Sequence, residues 1–213
     1  MEGEIPRIIQ RKEVMIMGQA QQHFDLAAQS YTEAIQLIRA MDEAFQQVSY
    51  AQEPEKRYDT RYTLYRFDLI LQGILVQQAL SDGVFDDLEQ QFVSKITEYG
   101  DLMDYLRRYS GGQIDLTWAQ LGALDRETQM LLVEHIPTIL STLCDHFVAP
   151  MAAIDATLID LDVLSQLGDK ILDIAAQLSQ MDGQVDEQEG NAYARAFVQL
   201  LTDRWRAVTG QQQ

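Results

Sequence analysis

The chain has 213 residues, of which 46% are hydrophobic, with only four prolines and twelve glycines, so it can bury one sizeable core or two small ones. A net charge of −17 repels phosphate backbones and anionic lipid, which argues against nucleic acid and membrane surfaces and favours cations and basic protein surfaces. No apolar run reaches the roughly 20 residues a bilayer span requires, so no membrane insertion is expected.

Residues 1–16 are mixed in character, with Ile8-Ile9, basic Arg11-Lys12 and an apolar stretch from Val14, and either fray or begin the first helix. The start, Met1-Glu2-Gly3-Glu4, lacks the basic-then-apolar order of a signal peptide. The single cysteine, Cys144, forms no internal disulfide, and a cytoplasmic location is expected.

From Met17 a seven-residue repeat sets in. One seam is Met17, Phe24, Tyr31, Ile38 and Phe45; the other is Ala20, Ala27, Ala34, Met41 and Val48. Two apolar positions per seven residues mark a bundle or coiled-coil helix, and alanine down one seam lets a neighbouring backbone come close. The seam either packs on its own chain or serves as an arm for a protein partner or self-association through residues 17–48. Residues 49–60, with Pro54 among charges, read as a linker, which divides the chain into 1–55 and a helical domain over 56–213.

Lys56, Arg57, Arg61 and Arg66 alternate with Tyr58, Tyr62 and Tyr65. Such interleaving can bind single-stranded nucleic acid, but four cations in so acidic a chain make a poor footprint. Packed tyrosines and arginines paired with nearby acids are the simpler reading. A largely buried helix is predicted from Tyr62 to Leu80.

That helix leads into Asp82-Gly83-Val84-Phe85-Asp86-Asp87-Leu88-Glu89, and the pattern returns 100 residues on as Asp182-Gly183-Gln184-Val185-Asp186-Glu187-Gln188-Glu189. Self-similarity at a fixed offset suggests duplication of one αα-hairpin. Gly83 and Gly183 suit a helix C-terminus, where the chain needs a residue with positive φ. Asp86 and Asp186 fall at N-cap positions, and Glu89 and Glu189 complete capping boxes in which carboxylates satisfy orphan backbone N–H groups. The alternative for Asp82, Asp86, Glu89, Asp182, Asp186 and Glu189 is a divalent cation such as Ca²⁺, which takes hard oxygen ligands. They do not form an EF-hand: with Gly183 at the sixth loop position the first is Leu178, and with Gly83 the third is Leu80.

Further along, a short helix from Leu102 to Arg108 and a Ser110-Gly111-Gly112 loop are expected. A helix from about Arg126 to Phe147, N-capped by Asp125, should be kinked or split by Pro137 and ended by Pro150. Helices near 155–167, 170–181 and 191–208 follow, with Gly168 as a break and a frayed tail from Gly210. Nothing alternates as a strand, so the fold expected is all-α: a helical bundle with a duplicated αα-hairpin, preceded by the long heptad-patterned helix.

The two windows 68–99 and 168–200, each an apolar helix followed by D-G-x-apolar-D-acid-x-E and another helix, resemble the tellurite-resistance TerB-like family. The resemblance implies an all-helical, internally duplicated fold whose acidic positions are candidate metal ligands, and a role in stress or tellurite resistance. It covers under a third of the chain and not its amino-terminal third.

No reaction is visible beside it. His135, Cys144 and His146 are the nearest approach to a ligand cluster, but Cys144 and His146 point apart on a helix. Cys144 is expected to be a small buried side chain and His23 to be solvated. The Gly-Gly pair lacks the lysine and preceding strand of a phosphate loop, and no nucleophile elbow is present. The expected function is that of a non-enzymatic binding or scaffold protein. A structural protein self-associating through its first helix is the alternative, and a hydrolase using paired acids comes third.

Overall fold

A computed structural model describes residues 5–52, 60–82, 85–152, 161–181 and 192–209. All regular structure among them is helical: α1 (Ile5–Gln52), α2 (Thr60–Asp82), α3 (Asp87–Ile96), α4 (Leu102–Tyr109), α5 (Trp118–Gly122), α6 (Arg126–Val133), α7 (Ile136–Ala152), α8 (Leu161–Met181) and α9 (Ala192–Thr209). None of these helices is long and apolar enough to cross a membrane.

The bundle is built around α2. Phe67, Leu69, Ile70, Leu71, Ile74, Leu75 and Val76 are all buried, so this helix presents apolar surface around most of its circumference rather than along one stripe. It touches α1, α3, α4, α6, α7, α8 and α9. Gly73 makes the α7 contact possible: a Cβ there would lie 2.8 Å from Leu140 Cδ2.

Where its side chains are described, the heptad seam of α1 packs on its own chain. Ala27, Ala34, Tyr31, Ile38 and Met41 are buried in the common core, and α8 is the principal neighbour of α1. The two run antiparallel, as two cross-links fix: His23 Nδ1 lies 2.9 Å from Gln177 Oε1, and Lys170 Nζ lies 2.6 Å from a Glu33 carboxylate oxygen. His23, expected in solvent, is therefore half-buried. Helices on both sides of residues 53–59 contribute to one hydrophobic core.

Several boundaries differ from expectation for local reasons. The break near Pro137 falls before it, at Glu134-His135, so that the proline stands in the first turn of α7, where a missing N–H costs nothing. The helix then passes through Pro150 to Ala152. Gly168 breaks nothing: α8 runs straight through it, and its missing Cβ admits Val198 of α9, whose Cγ1 would be 2.8 Å from that atom. The short α5 was not expected; Thr117 and Gln120 form its capping box. Gly111 and Gly112 do take positive φ, 64° and 86°, and return the chain after α4 with Gly112 N donating to Arg107 O.

Candidate functional site

The first acidic turn begins where α2 ends, at Asp82, the first of the six candidate cation ligands. Asp86 is the N-cap of α3, and its Oδ1 accepts from the backbone N–H groups of Leu88 at 2.8 Å and Glu89 at 2.9 Å. Glu89 Oε2 accepts from Asp86 N at 2.9 Å, closing the capping box the sequence predicts. Glu89 is buried at 3% exposure, whereas Asp86 and Asp87 are exposed. The turn is pinned from behind by buried Gln129 of α6, whose Oε1 accepts from Phe85 N and whose Nε2 donates to Leu121 O. The second turn, with Asp182, Asp186 and Glu189, lies outside the described residues, as does Gly83. Among the described residues no three His, Cys, Asp or Glu side chains are gathered as an ion would require.

A groove of about 140 Å³ opens between α1, α3 and the end of α8. Phe24 and Phe92 form its floor, edge to face with ring centres 5.8 Å apart, and Ala20, Leu88 and Met181 form its walls. Gln21, Gln91 and Lys95 supply the polar rim, and Lys95 Nζ donates to Gln91 Oε1 at 3.2 Å. Leu88 lies two residues past Asp86, and Met181 directly precedes Asp182. The start of α3 and the end of α8 thus face the same groove.

The second polar constellation is internal and was not read from the sequence. Asp68 of α2, fully buried, accepts from Tyr31 Oη at 2.9 Å, and from the backbone N–H groups of Glu98, Tyr99 and Gly100 at 3.1, 2.5 and 2.9 Å. One turn on, Gln72 Oε1 accepts from Leu102 N at 2.7 Å, while its Nε2 donates to Thr97 Oγ1 at 2.6 Å. Together they lash the turn between α3 and α4 onto the central helix. Gly100 lets that turn come close, since a Cβ there would lie 2.7 Å from Tyr65 O. Burial pushes the Asp68 carboxyl up to about 6, against the pull of its four donors, and burial with the neighbouring Asp68 charge raises the Tyr31 phenol. The signal was present: Asp68 and Gln72 are four apart in an otherwise apolar run, hence on one face of a helix with no dry place for them.

Of the basic–aromatic stretch, Lys56, Arg57 and Tyr58 lie outside the described residues, Tyr65 is half-buried, and Tyr62, expected to pack, is exposed. Arg66 Nη1 donates to His146 O rather than to an acid, and Arg108, bound to Asp104, also reaches Tyr65 Oη at 3.3 Å. Cys144 is buried, and burial lifts its thiol to about 11, which leaves it unreactive as a nucleophile. No family model, curated protein or solved structure matches the chain.

Proposed function

We propose that the chain is a non-enzymatic helical binding module of the TerB-like kind, acting in the cytoplasm in stress or tellurite resistance, whose working face is the α1–α3–α8 groove beside the first acidic turn. The observation that carries this reading is that Leu88, just past the first acidic turn, and Met181, the residue before the second acidic sequence, line one groove. Asp82, Asp86, Glu89, Asp182, Asp186 and Glu189 are the proposed cation ligands, with weak affinity for a divalent ion such as Ca²⁺. In the first turn Asp86 and Glu89 already serve the helix cap, so exposed Asp86 and Asp87 are the oxygens an ion would meet first.

Thermal unfolding in EDTA, Ca²⁺, Mg²⁺, Mn²⁺ and Zn²⁺ tests this, comparing the native chain with Asp182→Asn/Glu189→Gln. A cation that binds only the folded state stabilises it by RT ln(1 + [L]/Kd), about 2.7 kcal/mol at a hundredfold excess over Kd. Selective stabilisation that the double variant loses is the expected result. Equal responses from the two proteins would leave the turns as helix caps and remove the cation from the reading.

A further inference from the structure

The α1–α3–α8 groove has two banks of opposite polarity. On the α1 bank Gln21 Nε2 donates to Asp25 Oδ1 at 2.8 Å, so Gln21 Oε1 remains an acceptor with a carboxylate beside it. On the α3 bank the order is reversed. Lys95 Nζ donates to Gln91 Oε1 at 3.2 Å, so Gln91 Nε2 remains a donor with an ammonium beside it. Each charge is thus held by a neutral amide one turn away on its own helix. Acidic residues outnumber basic ones 33 to 16 in this chain, yet among the described residues Lys95 has no carboxylate partner.

Between the banks the floor is apolar, with Phe24 and Phe92 edge to face and Leu88 and Met181 beside them. Gln21, Gln91 and Lys95 are exposed while Phe24, Leu88 and Met181 are half-buried, so the groove opens along its polar rim. Its volume of about 140 Å³ is close to that of cavities of roughly 150 Å³ that take a benzene ring, and below the roughly 300 Å³ where sites for drug-sized ligands begin. It has room for one apolar side chain.

We propose that the groove binds a free α-amino acid with an apolar side chain, of the phenylalanine, leucine or methionine class. This rests on the reading of the groove as the working face and names what that face takes. The side chain lies on the two phenyl rings, where a polar side chain would lose its water without gaining a partner. The ammonium meets Gln21 Oε1 with Asp25 behind it, and the carboxylate meets Gln91 Nε2 and Lys95. Asp86 and Asp87, exposed at the start of α3, repel a carboxylate, and Lys95 stands eight residues beyond Asp87, about 12 Å along the helix. The carboxylate therefore settles at the Lys95 end. A ligand with one charge leaves one bank unmatched, and an internal peptide segment supplies neither charge.

The test is an amide-resonance NMR titration of the full chain in EDTA, which keeps the result independent of the cation experiment. The ligands are L-phenylalanine, L-leucine, L-aspartate, phenylalaninamide, N-acetylphenylalanine and N-acetylphenylalaninamide. The first two are expected to shift groove resonances of α1 and α3 with Kd of about 1 mM, as suits a dozen heavy atoms. L-aspartate and the three blocked compounds are expected to bind about tenfold more weakly or worse, each having lost at least one matched contact. Lys95→Glu and Leu88→Trp, at positions that are not buried, should keep the native circular dichroism signal and weaken phenylalanine to the same degree. No saturable shift up to about 20 mM overturns the proposal, as would happen if residues 182–191 filled the groove. It is equally overturned if N-acetylphenylalaninamide binds as well as phenylalanine, which would make the groove a docking point for a protein segment. Native affinity retained in both variants would place the ligand elsewhere and overturn it too.

Discussion

Asp68 meets four donors and no cation among the described residues, so its protonation state carries a free-energy difference that the pH can reveal. A rise from 3.8 to about 6 corresponds to about 3 kcal/mol. The sign follows from linkage: a carboxyl that binds its proton more tightly when folded adds stability below its unfolded value and loses it as the pH climbs through about 6. The stability difference between native chain and Asp68→Asn, from urea melts, is therefore expected to move in favour of the native chain by up to about 3 kcal/mol between pH 7 and pH 4. A difference that moves the opposite way would mean that the four donors outweigh burial. At the surface, Asp86→Ala removes the α3 N-cap and should cost about 1 kcal/mol at neutral pH in the same melts. These two aspartates also differ in how legible they are. Asp86 finds both its partners within three residues, so the spacing alone announces the cap. Asp68 finds its partners 30 to 37 residues away on α1 and on the turn before α4, and no local rule assembles that set.

The longer helices were readable as elements from apolar spacing and caps, short α5 was missed despite its local capping box, and other misreadings came where a neighbour decided the outcome. Gly168 is the plainest case: glycine weakens an isolated helix by about 1 kcal/mol, which reads as a break, yet α8 keeps it so that Val198 can enter. Val198 is β-branched and stiff on its own helix, so the contact cannot simply turn away. Gly168→Ala alone is expected to destabilise by roughly 1–3 kcal/mol through overpacking. In a Val198→Ala background the same change should be neutral or stabilising, because the intrinsic preference for alanine then acts unopposed. Additive effects in that double-mutant cycle would show that the glycine is not kept for the contact. The α1 seam, by contrast, was visible as a seven-residue repeat, but which surface it would cover was not, because α8 lies far along the chain.

For the molecule as a whole, a charge of −17 opposes its own compaction. Raising NaCl from about 20 to 200 mM shortens the screening length from roughly 20 Å to 7 Å and should raise the unfolding temperature measurably, with chloride or acetate as the anion alike. A fall in stability would mean that ion pairs such as Lys170–Glu33 matter more than the self-repulsion. The pairing of α1 with α8 has a further consequence, on the ribosome. His23 waits 154 residues for Gln177, which at a synthesis rate of 5–20 residues per second is about 8–30 s. During that interval α1 can have α2 and α3 beside it, where Tyr31 meets Asp68, but not α8, its principal neighbour, and the emerging chain offers chaperones apolar surface that only the last quarter of translation can cover.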